Sequence, residues 1–98
     1  DRPAVRDLVE SLCRAVDGAL SSQVSIRVPR QFQSRKVFNT VMSALNSLGV
    51  VRVVTNKGSR LMAVKGSVVW EKAKSGDCGY LLKYVYDYLC RSGFSEYC

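Results

Sequence analysis

The sequence predicts a single α+β domain in the order helix–strand–helix–β-hairpin–helix. Three observations carry that expectation. Apolar residues recur at spacings of three and four in three segments. They alternate at a spacing of two in Gln23–Val28 and on either side of the turn Asn56-Lys57-Gly58-Ser59. The chain has 98 residues, enough for one small core.

The first helix is expected over Pro3–Asp17, where Val5, Leu8, Val9, Leu12 and Val16 form one stripe. Arg6, Asp7, Glu10, Arg14 and Asp17 fall on the other side. Asp1 suits the cap, Pro3 the first turn and Gly18 the stop. Val24, Ile26 and Val28 alternate with polar residues as in a strand, which Pro29 ends. A second helix is expected over Arg30–Leu48. It would bury Val37, Val41, Ala44, Leu45 and Leu48, with Phe38 beside them. At 100° per residue, Arg35, Lys36, Asn39, Ser43 and Asn46 take the opposite face, which holds no acid. Gly49 stops this helix. Val50–Thr55 and Arg60–Lys65 then read as a hairpin, since Asn and Gly supply the positive φ angles of a tight turn. Asp77 suits the cap of a last helix over Cys78–Arg91 and Gly93 suits its stop. Lys83, Asp87 and Arg91 make a charged stripe on it.

Charge is unevenly spread. The net charge is +7, and no Asp or Glu occurs from Gly18 to Trp70. The window Arg27–Lys74 holds ten basic residues against the single acid Glu71, a net +9, while each flank is at −1. Solvated surfaces usually mix signs, because like charges held together repel. A stretch without acids points to a polyanionic partner.

The stretch Ser34–Gly66, SRKVFNTVMSALNSLGVVRVVTNKGSRLMAVKG, resembles a winged-helix DNA-binding domain. A basic helix runs through Leu-x-x-Leu-Gly into a two-stranded basic wing. The resemblance covers roughly half the chain. It implies a helix in the major groove and a wing along the backbone or minor groove. RKVFN at 35–39 is more distantly similar to the Arg-Arg-x-Tyr-Asp motif of the cell-cycle transcription factors that pair with DP partners. Lys36, Phe38 and Asn39 stand where that motif has Arg, Tyr and Asp. A winged helix carries another short helix before the recognition helix. Here that space holds VSIRV and Pro29, so either a short helix lies near Arg30–Gln33 or the α+β arrangement differs.

The chemistry expected is binding without catalysis. With no histidine there is no ordinary general base near neutral pH, and no phosphate-binding Gly-rich loop occurs. Cys13, Cys78, Cys90 and Cys98 lack metal-knuckle spacing, so neither a zinc site nor any cofactor is expected. Cys13 and Cys90 sit among apolar neighbours, as reduced thiols do. That implies an intracellular compartment such as the nucleus. No apolar run is long enough for a bilayer and no signal peptide is visible. The abrupt start at Asp1 reads as an excised domain. GDCG at 76–79 reads as helix entry with an Asp cap rather than a phosphate clamp.

The leading expectation is therefore one domain, residues 1–98, that binds nucleic acid, DNA before RNA. Phosphate contacts are expected from Arg27, Arg30, Lys57, Arg60 and Lys65, and base-edge contacts from Arg35, Lys36 and Asn39. An RNA-binding α+β module is the alternative within the same class. A protein-interaction domain or homodimer using Tyr80, Tyr84 and Tyr88 is the alternative outside it. All five tyrosines follow residue 79 and so lie outside the basic window.

Overall fold

The computed structural model describes residues 2–17, 23–27, 32–48, 51–54, 60–64, 71 and 78–98, the strand segments by their backbone alone. Helix α1 spans Arg2–Asp17. Val5, Leu8, Val9, Leu12 and Val16 are each fully buried, and Arg6, Asp7, Arg14 and Asp17 are exposed. The spacing of three and four puts the apolar set on one side, and that side is what drives burial. Each such Val or Leu contributes about 1.5–3 kcal/mol relative to exposure.

Helix α2 spans Arg35–Ser47. Its start is set by Ser34, whose backbone is extended (φ −109°, ψ 118°) and whose Oγ accepts a hydrogen bond from the Val37 amide at 3.2 Å. That bond satisfies one of the amides a helix start leaves unpaired. The expected start near Arg30 is therefore corrected: residues 32–34 are not helical. The Phe32 ring meets the Phe38 ring edge-on at 5.2 Å, which fixes how the chain enters the helix. Val37, Val41, Met42, Ala44 and Leu45 are buried, while Phe38 and Leu48 pack half-buried at the core's edge.

Helix α3 spans Cys78–Arg91 and buries Leu81, Val85 and Leu89, one residue per turn. Past Arg91 the chain reverses at Gly93 (φ +103°), a conformation that favours glycine. The Gly93 amide donates to the Cys90 carbonyl and the Phe94 amide to the Leu89 carbonyl, which closes the helix end. A 3₁₀ turn, Ser95–Tyr97, then lays Tyr97 back onto the core at 5% exposure.

Three further segments pair through their backbones: β1 (Gln23–Arg27), β2 (Val51–Val54) and β3 (Arg60–Val64), all antiparallel, in the order β1-β3-β2. The register runs from Gln23↔Val64 to Arg27↔Arg60, and from Val51↔Ala63 to Val54↔Arg60.

The expected α+β winged-helix-like fold, a helix–strand–helix–β-hairpin–helix, is not supported. Of the residues whose burial is described, 85% are helical and none lies in a strand. Every buried residue among them belongs to α1, α2, α3 or the 3₁₀ turn. Among the described residues α3 lies against both α1 and α2, and the apolar stripes of the three helices meet in one cluster.

The expectation of free thiols is corrected as well. Cys13 is bonded to Cys78 and Cys90 to Cys98, and no cysteine is free. Apolar neighbours suit a disulfide as well as a thiol, so the surroundings of Cys13 and Cys90 did not discriminate. Chain-entropy arguments make the Cys13–Cys78 link, with its sequence separation of 65, worth about 4 kcal/mol. The Cys90–Cys98 link, with a separation of 8, is worth about 2.5 kcal/mol. The long link joins α1 to the first residue of α3. The short one ties the end of the 3₁₀ turn to α3.

Candidate polyanion-binding face

The helical body turns one face of α2 outward. Arg35, Lys36, Asn39, Ser43 and Asn46 are all exposed there. The same wheel that buries Val37, Val41 and Leu45 forces this, because these residues lie on the opposite arc. Thr40 Oγ1 bonds back to the Lys36 carbonyl at 2.9 Å, so its hydroxyl serves the helix. No ion pair to Arg35 or Lys36 occurs among the described residues. Both cations sit in the first turn of α2, where the helix dipole is positive and no acid offsets them. That placement is unfavourable unless an anion joins them.

Of the other expected contact residues, Arg27 and Arg60 are partners in the β1–β3 ladder, directly opposite in register. The structure thus brings together two residues that are far apart in sequence. Arg30, Lys57 and Lys65 lie outside the described residues, as do Asp77, Gly76 and the turn Asn56–Ser59. Gly79, from the same GDCG segment, is in the first turn of α3.

Tyr80, Tyr84 and Tyr88 are half-buried. The Tyr84 hydroxyl shares a 3.0 Å hydrogen bond with Ser47 Oγ, and the Tyr84 and Tyr88 rings lie 6.4 Å apart. The Tyr84–Ser47 bond links α3 to α2.

Sequence reasoning missed a second cluster. The Arg2 guanidinium lies 5.0 Å from the centre of the Tyr86 ring and 5.8 Å from that of Tyr97, and it donates to the Glu96 carbonyl at 3.2 Å. This cation joins the start of α1 to the 3₁₀ turn. Burial, reinforced by the neighbouring Glu96 carboxylate, holds the Tyr97 hydroxyl above the usual tyrosine range. Tyr97 is therefore neutral in the folded chain. Its contribution to stability is complete below pH ~10 and is lost as the pH rises further. The only sequence signal for this cluster was Gly93 followed by Phe94, which marks a reversal bringing Tyr97 back onto α3.

No family model, curated protein or solved structure matches the chain. Among the described residues no helix is long and apolar enough to cross a membrane. What the fold and face define is a disulfide-linked helical body with an exposed basic helix start.

Proposed function

We propose that the domain binds a polyanion, duplex nucleic acid in the first place, through the outward face of α2. The observation that carries this reading is the acid-free stretch from Gly18 to Trp70, with Arg35 and Lys36 exposed at the start of α2. Arg27 and Arg60, opposite in the backbone register of β1 and β3, belong to the same acid-free stretch. Cations opposed to the helix dipole gain from a phosphate backbone that neutralises them. Arg35, Lys36 and Asn39 carry donors suited to base edges as well as phosphates.

The two disulfides favour a second reading. They are characteristic of an oxidising compartment, where a sulfated polysaccharide offers repeated negative charge in place of phosphate. One experiment separates the two: titration of the oxidised domain with a labelled DNA duplex, an RNA duplex and heparin at two salt concentrations. Binding to duplex that heparin displaces only at large excess supports the nucleic-acid reading. Heparin binding at least tenfold tighter than either duplex, lost in Arg35→Ala, supports the polysaccharide. No binding to any of the three at low salt rejects both.

A further inference from the structure

The two disulfides sit in unlike surroundings. Cys13 is 7% exposed and Cys78 is half-buried, with its sulfur 3.8 Å from the Val9 carbonyl oxygen of α1. Cys98 is exposed and Cys90 half-buried. Both of the latter line an open groove of about 430 Å³, together with Leu82, Lys83, Tyr86 and Tyr97. A small solute can therefore reach one link from solvent, while α1 and α3 shelter the other. Lys83 shares the groove as a cation. The nearby Asp87 carboxylate is already held by Arg91 at 2.8 Å.

We propose that the Cys90–Cys98 link is a thiol–disulfide exchange site for low-molecular-weight thiols, and that its opening releases the 3₁₀ turn from α3. The incoming thiolate attacks Sγ of Cys98, the exposed sulfur. The Cys90–Cys98 bond breaks, its electron pair leaves on Sγ of Cys90, and solvent protonates it. A mixed disulfide then stands on Cys98. A second thiol attacks the outer sulfur of that mixed disulfide and frees Cys98 as a thiol. In balance, two thiols are oxidised to one small disulfide and one cystine takes up two electrons and two protons.

The consequence follows from what the turn covers. Tyr97, buried against α3, lies 5.5 Å ring to ring from Tyr86. The Tyr86 hydroxyl is buried with no hydrogen-bond partner, a costly state for a polar atom. With the link open, the burial of Tyr97, the Arg2 contacts and the helix-end hydrogen bonds hold the turn without a covalent tie. Movement of the turn would hydrate the Tyr86 hydroxyl, so the reduced state favours an open groove.

The test uses the oxidised 98-residue chain in graded concentrations of reduced glutathione, with quenching by N-ethylmaleimide and mapping of labelled peptides by mass. The expected result is labelling or glutathione adducts at Cys90 and Cys98 at least tenfold faster than at Cys13 and Cys78, with helical circular dichroism preserved. Equal rates at all four cysteines, or earlier opening of Cys13–Cys78, would overturn the proposal. So would a Cys90–Cys98 link that resists glutathione until the chain unfolds. The double variant C90S/C98S serves as a second measurement. Hydrogen exchange of the Phe94, Tyr97 and Cys98 amides should be at least tenfold faster in it than in the oxidised chain, and unchanged exchange there would show that the link does not hold the turn. Should that variant fail to fold, the labelling order in the wild-type chain still decides the matter.

Discussion

Helices α2 and α3 are nearly equal in length and each buries one apolar stripe, yet their outer faces are built on opposite lines. On α3, Arg91 lies in the last turn, where the dipole welcomes a cation, and it is paired with Asp87 one turn earlier. On α2, Arg35 and Lys36 lie in the first turn, where each opposes the dipole by about 0.3–1 kcal/mol, and no acid accompanies them. The charges of α3 are placed as a helix in isolation would want them, and those of α2 are not. A surface that costs stability and is nonetheless built in this way is best understood through what it meets, which is why the polyanion proposal rests on α2.

The contrast breaks first under salt. If four or five phosphates are neutralised, raising salt from about 50 to 200 mM should weaken duplex binding about 150- to 500-fold. A titration showing less than a tenfold change would remove the charge of the central window as the source of affinity. Next in size is Arg35→Ala, expected to weaken binding about 5- to 150-fold, whereas Lys83→Ala on α3 should leave it unchanged. Equal losses in fluorescence-anisotropy titrations would mean that the two faces do not differ in function. Lys57→Ala or Arg60→Ala should lower the salt slope by about one unit and weaken all sequences alike.

Stability measurements sharpen the same comparison on a smaller scale. Ser34→Ala should cost about 1 kcal/mol in urea unfolding, because it removes the cap that fixes the start of α2. Arg91→Ala should cost no more than about 0.5 kcal/mol, since its pair with Asp87 is exposed, at 67% and 61% for the two side chains. A larger loss for Arg91→Ala than for Ser34→Ala would reverse the relative weights assigned to the two helix ends.

Sequence periodicity located the helices well and their partners poorly. The stripe Val5, Leu8, Val9, Leu12 and Val16 was readable because burial on one side of a helix leaves a 3.6-residue trace. Cys78–Arg91 was readable for the same reason, with Gly93 as its stop. The start of α2 was misplaced because Gln31, Phe32 and Gln33 are compatible with a helix, and only the Ser34 hydroxyl decides against it. Met42 was missed as a core residue because it sits at the margin of the stripe. The disulfides were missed for a different reason. Cys13 and Cys78 meet only through the packing of α1 on α3, and no local pattern encodes a contact across 65 residues. The α+β fold expectation fell short in the same way: order along the chain does not encode which elements share the core. Of the expected site, Arg35, Lys36 and Asn39 are exposed as their arc requires, while the meeting of Arg27 with Arg60 depends on strand register and left no mark in either segment.

The Cys13–Cys78 link has one more consequence, topological rather than energetic. Between those two residues runs the whole basic window, so that stretch is a closed ring rooted on the helical body at both ends. A single protease nick anywhere from residue 14 to residue 77 therefore yields two pieces that travel as one molecule, heavier only by the water of hydrolysis. The pieces part only when that sheltered link is reduced. Cleavage in this ring would leave the chain's mass on a non-reducing gel unaltered, and the cut would show only under reduction.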